Sequence, residues 1–290
     1  YRTFLDKNPA HELVPQARFQ LGESLMRLER YEDAIGPLKK CVETGKARPE
    51  QLRAALFRLA KASEEVGRYE KAARHYGAFV RQYSGHKLAT PARYWVGACM
   101  LRAGKLQEAR KEFEGALPKL KGSQYEAYAL WGLASALMDL EQYRAAIGRL
   151  EELIRRHTGS DFIADATLSL GQCYFEVGDL KPALATFRKV EKKHGDDLRV
   201  EAIMGRASVQ YRMGNLQEAA ELFSSVAGQK LDKSTAAVAR YNAACALFNM
   251  EKYERALPIF EKLSKGGSRY AAGANYWRGL SLLGMDRAKA

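Results

Sequence analysis

The stretch from Gly97 to Ala116 reads GACMLRAGKLQEARKEFEGA, and the stretch from Gly171 to Val190 reads GQCYFEVGDLKPALATFRKV. Both begin with glycine, place leucine nine positions on (Leu106, Leu180), alanine three beyond that (Ala109, Ala183) and phenylalanine a further four along (Phe113, Phe187). The same order recurs through the chain as Gly22, Tyr31, Ala34; Ala60, Tyr69, Ala72; Ala134, Tyr143, Ala146; Ala207, Leu216, Ala219; and Ala244, Tyr253, Ala256. Four residues after each alanine stands a large apolar residue: Leu38, Tyr76, Phe113, Leu150, Phe187, Phe223 and Phe260. Successive anchors are 38, 37, 37, 37, 36, 37 and 35 residues apart, counting Gly279 as the start of an eighth unit. Self-similarity at such a period is the mark of a stacked repeat architecture.

The spacing predicts two antiparallel helices per repeat. The small residue lies in the middle of the first, helix A, and the alanine lies early in the second, helix B, so that small side chains let the two cross closely. The aromatic or leucine between them is expected to end the turn and fill the wedge. Gly67-Arg68, Gly104-Lys105, Gly178-Asp179 and Gly214-Asn215 precede it, and glycine tolerates the positive φ of a helix C-terminus. The i, i+4, i+7 apolar spacing of helix B suits an amphipathic helix. One pair cannot bury that face alone, so neighbours must stack. Breakers separate the pairs at Asn8-Pro9, Gly45 to Pro49, Ser84-Gly85, Gly122-Ser123, Gly159-Ser160, Gly195-Asp196 and Gly228 to Ser234. Pro37 and Pro258 are expected to bend or loosen the start of helix B, whereas Pro182 sits in a first turn, where proline costs little.

The reading is therefore an all-α, right-handed α-solenoid of about seven complete helix pairs with a partial repeat at each end, in one domain over 1–290. Residues 1–10 are the tail of a preceding helix B; 11–49, 50–87, 88–123, 124–160, 161–197, 198–234 and 235–269 are repeats; 270–290 is partial. Both ends lie inside the pattern, and the expectation is a fragment of a longer protein.

Chemistry-bearing motifs are not evident. The histidines His11, His75, His86, His157 and His194 lack the i, i+4 partner of a zinc helix, and the cysteines Cys41, Cys99, Cys173 and Cys245 are far apart in apolar stretches, as buried free thiols are. Neither a P-loop, a GxGxxG turn nor a GxSxG elbow is present. The expectation is a protein that is not an enzyme, with no catalytic residue, cofactor or metal. The longest apolar run is too short to cross a membrane. With 47 Lys and Arg against 34 Asp and Glu, the formal charge is +13. Many cations fall late in helix B, at Lys39, Lys40, Arg155, Arg156, Arg188, Lys189, Lys192 and Lys193, where they complement the helix dipole.

These anchors and their spacing resemble the tetratricopeptide repeat, over essentially the whole chain. The period near 37 and the links Asn8-Pro9-Ala10-His11, Tyr83-Ser84-Gly85-His86 and His157-Thr158-Gly159-Ser160 resemble a longer variant found in bacterial cell-envelope proteins, such as the outer-membrane assembly lipoprotein and the Tol–Pal partner. That resemblance implies a periplasmic or envelope location, with the cytoplasm as the alternative, and peripheral membrane association is compatible with it. It also implies a scaffold or adaptor whose helices A line a concave groove for an extended segment or partner subunit, another copy of the chain included. Three residues before each anchor stand Phe19, Phe57, Tyr94, Trp131, Leu168, Met204, Tyr241 and Tyr276; four after stand Met26, Glu64, Leu101, Met138, Phe175, Tyr211, Phe248 and Leu283. Spaced by seven, they share one face. That stripe is either the groove or core between neighbouring helices A, and Phe57, Tyr94, Trp131, Phe175, Tyr211 and Tyr241 are its candidate binding residues. Where the family's clamp for acidic chaperone tails has Lys and Asn, this chain has aromatic and small residues, with only Lys61 basic. The alternative function is nucleic-acid binding through Arg58, Arg93, Arg102, Arg206, Arg212, Arg240 and Arg278 on helix A with stacking aromatics.

Overall fold

In the computed structural model, residues 1–193, 196–229, 231–266 and 269–289 are described. His194, Gly195 and part of the link Gly228 to Ser234 lie outside them. Among the described residues there are sixteen helices and no strand. They divide into two compact units, Tyr1–Arg149 and Leu150–Ala290.

The first unit runs through α1 (Arg2–Lys7), α2 (Val14–Arg27), α3 (Tyr31–Thr44), α4 (Pro49–Glu65), α5 (Tyr69–Gln82), α6 (Ala89–Arg102), α7 (Leu106–Leu120) and α8 (Tyr125–Asp139), and α9 (Tyr143–Arg156) carries the boundary. The second runs through α10 (Ile163–Glu176), α11 (Leu180–Lys193), α12 (Asp196–Arg212), α13 (Leu216–Ala227), α14 (Lys233–Asn249), α15 (Tyr253–Ser264) and α16 (Ala271–Lys289). Even-numbered helices are helices A and odd-numbered helices are helices B. Within each unit every helix packs on its neighbours in sequence, and the helices A of adjacent repeats also touch, as α6 and α8 do in the first unit and α10 and α12 in the second.

The wedge residue is placed differently from expectation. Tyr31, Tyr69, Leu106, Tyr143, Leu180, Leu216 and Tyr253 do not end the turn; each is the first residue of its helix B. The left-handed residue lies two positions earlier, at Glu29, Gly67, Gly104, Glu141, Gly178, Gly214 and Glu251. Four repeats use glycine there and three use glutamate, at a cost of about 1 kcal/mol of backbone strain. Between the two stands a residue whose side chain makes no capping hydrogen bond: Arg30, Arg68, Lys105, Asn215 and Lys252. A cation at a helix N-terminus is electrostatically unfavourable. It is offset by the preceding repeat: Arg68 Nη2 lies 2.5 Å from Glu32 Oε1, Lys105 Nζ lies 4.0 Å from Glu70 Oε1, and Lys252 Nζ donates to Gln217 Oε1 at 2.9 Å.

The reason for the small anchor also differs. It makes room for the large residue four after the helix B alanine. A Cβ on Gly22 would lie 2.5 Å from Leu38, one on Gly97 2.7 Å from the Phe113 ring, and one on Gly171 2.8 Å from the Phe187 ring. The next helix A closes on the same ring from its other side, where Cβ atoms on Gly132 and Gly205 would stand 2.5 Å from Phe113 and Phe187 respectively. On α6 and α16 that register position holds tryptophan and the rings stack: Trp95 on Tyr76 at 6.4 Å and Trp277 on Phe260 at 6.5 Å between centroids. Phe113, Phe187 and Phe260 are almost wholly buried, each worth about 2 kcal/mol.

Helices α3 and α15 continue through Pro37 and Pro258. The links are closed by side chains: His11 Nδ1 accepts from the Leu13 amide at 3.1 Å, His86 Nδ1 from Leu88 at 3.2 Å, and Ser160 Oγ from Phe162 at 3.3 Å.

Two opposite outcomes test this packing in urea unfolding. Gly97→Ala destabilises by about 1–3 kcal/mol through overpacking against Phe113, whereas Gly115→Ala in α7, with nothing within 4 Å of its added Cβ, stabilises by about 0.5–1 kcal/mol through helix propensity. Glu141→Gly, which relieves the left-handed strain, raises stability by about 0.5 kcal/mol.

Candidate functional site

All six candidate residues are half-buried. Phe57, Tyr94 and Trp131 sit on α4, α6 and α8 of the first unit; Phe175, Tyr211 and Tyr241 sit on α10, α12 and α14 of the second. Their stripe neighbours Phe19, Met26, Leu101, Met138, Leu168, Met204 and Phe248 are half-buried too, while Tyr276 and Leu283 on α16 are exposed, at 63% and 57%. Each side chain of the six rests one edge on the core and leaves another open. Phe57 packs edge-on against Tyr76 and Phe79, at 5.5 and 5.3 Å. Tyr241 accepts from Trp277 Nε1 at 2.9 Å and lies 5.1 Å from the Tyr270 ring.

Tyr94 gathers a cluster that the seven-residue spacing misses. Tyr125 and Tyr128 of α8 lie 5.9 and 5.7 Å from its ring. Tyr128 precedes Trp131 by three residues and Tyr125 precedes Tyr128 by three, each step about one turn of α8, and that spacing is the signal that would have found them.

In the second unit Phe175 and Tyr211 come together in a pocket of about 430 Å³, lined also by Ser208, Arg212, Phe223, Asn242 and Cys245. Phe223, from helix α13, forms part of its apolar wall. Tyr211 Oη accepts from Asn249 Nδ2 at 2.5 Å, and Arg212 Nη1 donates to the Phe175 carbonyl at 2.8 Å with its guanidinium 5.1 Å from the Phe175 ring centre. Burial pushes the Cys245 thiol up to about 11, so it is a poor nucleophile at neutral pH. The other three cysteines are buried and free.

Glu64 is the one acid in the stripe. Tyr76 Oη donates to its Oε2 at 3.0 Å and Arg102 Nη1 lies 2.7 Å from its Oε1. Burial raises the Glu64 carboxyl above the usual range, and the Tyr76 hydroxyl and Arg102 charge draw it partly back. Arg102 also lies 5.8 Å from the Trp95 ring centre.

The arginines of the nucleic-acid alternative are largely committed within the chain. Arg58 pairs with Glu23 at 2.8 Å, Arg102 with Glu64, and Arg206 with Glu191 at 2.6 Å. Arg93, Arg212 and Arg240 donate to the carbonyls of Ser84, Phe175 and Ala227. Among the described residues, no cluster of three or more His, Cys, Asp or Glu is placed to hold a metal, and no helix is long and apolar enough to cross a membrane.

A family described as tetratricopeptide repeat matches residues 57–124, 132–197 and 176–233, and a second one of the same description matches 237–265. Among curated proteins none matches significantly. The fold is similar to the C-terminal part of a tetratricopeptide repeat-containing protein from Cytophaga hutchinsonii, at TM-score 0.66 and 15% identity over 88% of this chain and 98% of that one. It is similar to a tetratricopeptide repeat protein from Parabacteroides merdae at 0.57 and 15%, over 93% and 99%. A third likeness is to YrrB, described as having an unusual peptide-binding site, at 0.55 and 21%, over 70% and 97%.

Glu64 supplies a pH test. Its raised folded-state value means the native chain holds a proton that the unfolded chain has already released, so stability falls as pH rises through the window just above the ordinary glutamate value. Unfolding measured from about pH 4 to 7 shows that fall in the wild type, and Glu64→Gln removes it.

Proposed function

The chain belongs to the tetratricopeptide-repeat family, and from that premise we propose that it is a non-catalytic scaffold that holds an extended segment of a partner protein along the half-buried stripe of its helices A. The observation that carries this is the shared exposure of the stripe. Phe57, Tyr94, Trp131, Phe175, Tyr211 and Tyr241 are each anchored on the core, hence rigid, yet leave aromatic surface in solvent. Aromatic side chains fixed in this way give large contact area at small entropic cost, and interface hot spots are rich in them. A core residue would be covered; a purely solvating one would be polar.

The repeat period and the link sequences support a bacterial envelope setting, and relatives of the same fold from two bacteria are consistent with it. The partner is a protein subunit or a second copy of this chain. Charge assists the encounter, since the net +13 draws in an acidic partner over a Debye length.

The test uses the chain as bait against soluble and membrane-associated fractions, at low and high salt. Tyr94→Ala with Trp131→Ala reduces capture of the discrete partner by at least about tenfold, while circular dichroism keeps its helical signal. Capture that survives this double variant, or recovery of nucleic acid that disappears as salt rises, overturns the reading; loss of the helical signal makes the stripe core rather than groove.

A further inference from the structure

One junction between repeats departs from the pattern that closes the others. The residue twenty after an anchor, late in helix B, and the residue just before the next anchor, on the following helix A, are Val42 and Leu59, Val80 and Val96, Leu117 and Leu133, Ile154 and Leu170, and Ala227 and Ala243. Leu59, Val96, Leu133, Leu170 and Ala243 are buried. The last junction has Ser264 and Arg278, one cation and no acid. Between α11 and α12 the same two places hold Glu191 and Arg206, joined at 2.6 Å with side chains 21% and 19% exposed. A largely buried ion pair where two apolar residues would pack brings no stability of its own. Departures from a chain's own packing rules fall mostly where function requires them.

Around that pair is a cavity of about 540 Å³, and among the described residues it is lined by Arg188, Glu191 and Lys192 of α11 and by Arg199 and Arg206 of α12. Four cations therefore face one acid, and Glu191 is already engaged by Arg206. Arg188 stands 4.0 Å from Glu218 with both side chains open to solvent. Lys192 and Arg199 make no ion pair or hydrogen bond among the described residues. The helix dipole accounts for Lys192 in the last turn of α11, but it opposes Arg199, the fourth residue of α12. Like charges gathered from two helices repel one another, and an anion between them relieves that repulsion.

We infer that this cavity between α11 and α12 is a binding site for a phosphate monoester. At neutral pH such a group carries nearly two negative charges on three terminal oxygens, which suits a lining whose four cations exceed its acid by three. The guanidinium groups of Arg199 and Arg206 bind phosphate oxygens through paired N–H donors, and Lys192 adds a point charge. Glu191 accepts from Arg206 Nη1 and so fixes that guanidinium, leaving its other terminal nitrogen to the ligand. The cavity is larger than one phosphate group, so the esterified alcohol fits beside it, whether that of a small metabolite or the glycerol of a lipid headgroup. None of these residues belongs to the aromatic stripe, and the inference stands independently of the scaffold reading.

The probes are inorganic phosphate, glycerol 3-phosphate and acetate, titrated at low salt into isotope-labelled chain and followed by NMR. Saturable shifts are expected at Lys192, Arg199 and Arg206 with both phosphates, at least about tenfold tighter than with acetate. Lys192→Gln with Arg199→Gln alters two exposed side chains, keeps the helical signal and weakens phosphate by at least about tenfold. Glu191→Val with Arg206→Leu writes the apolar pair of the sister junctions, keeps the chain folded and weakens it likewise. Lys39→Gln with Lys40→Gln removes the same charge late in another helix B and leaves the affinity unchanged. No saturation up to about 10 mM phosphate overturns the site, and acetate binding as tightly overturns the phosphate class. Equal weakening by the Lys39→Gln, Lys40→Gln variant reduces the effect to net charge and overturns the location. Co-sedimentation with phosphatidic acid vesicles, absent with phosphatidylcholine alone and lost in the Lys192→Gln, Arg199→Gln variant, assigns the phosphate to a lipid headgroup. Glycerol 3-phosphate binding without co-sedimentation assigns it to a free ester.

Discussion

A single packing contact recurs through the chain and governs the rest: a large apolar side chain from helix B seated against helix A where that helix has almost no side chain. Phe113 is held between Gly97 of α6 and Gly132 of α8, and Phe187 between Gly171 of α10 and Gly205 of α12. The ring touches two consecutive helices A at once. Each repeat is therefore completed by its successor, and a repeat on its own would leave that ring half in water. Interiors packed to crystal-like density do not absorb an extra methyl group at such a point. At Gly97 and Gly171 an added methyl would strike the phenylalanine ring, and the anchor is glycine or alanine in every repeat.

The turn between the two helices follows from the same demand. Helix B must begin at once after the reversal, with its first residue, such as Tyr69 or Leu106, turned into the wedge. A left-handed residue two positions earlier makes the reversal short enough. The cation that then falls at the head of helix B is answered by an acidic or amide side chain in the first turn of the preceding helix B, as Arg68 is by Glu32. Local turn chemistry and contacts between repeats thus support each other, the kind of agreement across levels that gives a chain one native state.

The stripe is what remains after this packing. Helix A uses one side for helix B and another for the adjacent helices A, and the side chains three before and four after the anchor fall at the edge of both. They are partly covered by the packing and partly open. Glu64 shows how the chain handles the one acid placed there, giving it the Tyr76 hydroxyl and the Arg102 guanidinium. The link histidines have a plain structural role. His11 and His86 close helix starts by accepting backbone amides, which explains their place in the sequence without any metal.

The repeat, its two-helix content and the stripe positions were legible in the sequence because they depend on intervals along one chain: a small residue, a wedge residue and an alanine at fixed spacing determine helices, turn and facing side. The partner of each small anchor was not legible. The alanine of helix B was the natural choice, yet Leu38, Phe113 and Phe187 fill the space, because side-chain reach across a helix crossing depends on the crossing itself. The tyrosines Tyr125 and Tyr128 joined Tyr94 only through the approach of α6 and α8. Whether an aromatic residue of the stripe is groove or core was likewise beyond periodicity, since residues of identical register differ in what the next helix brings to them. Asn242 is the clearest case: its identity stood in the sequence, but the pocket it lines with Phe175 and Tyr211 exists only because of the helices that surround it.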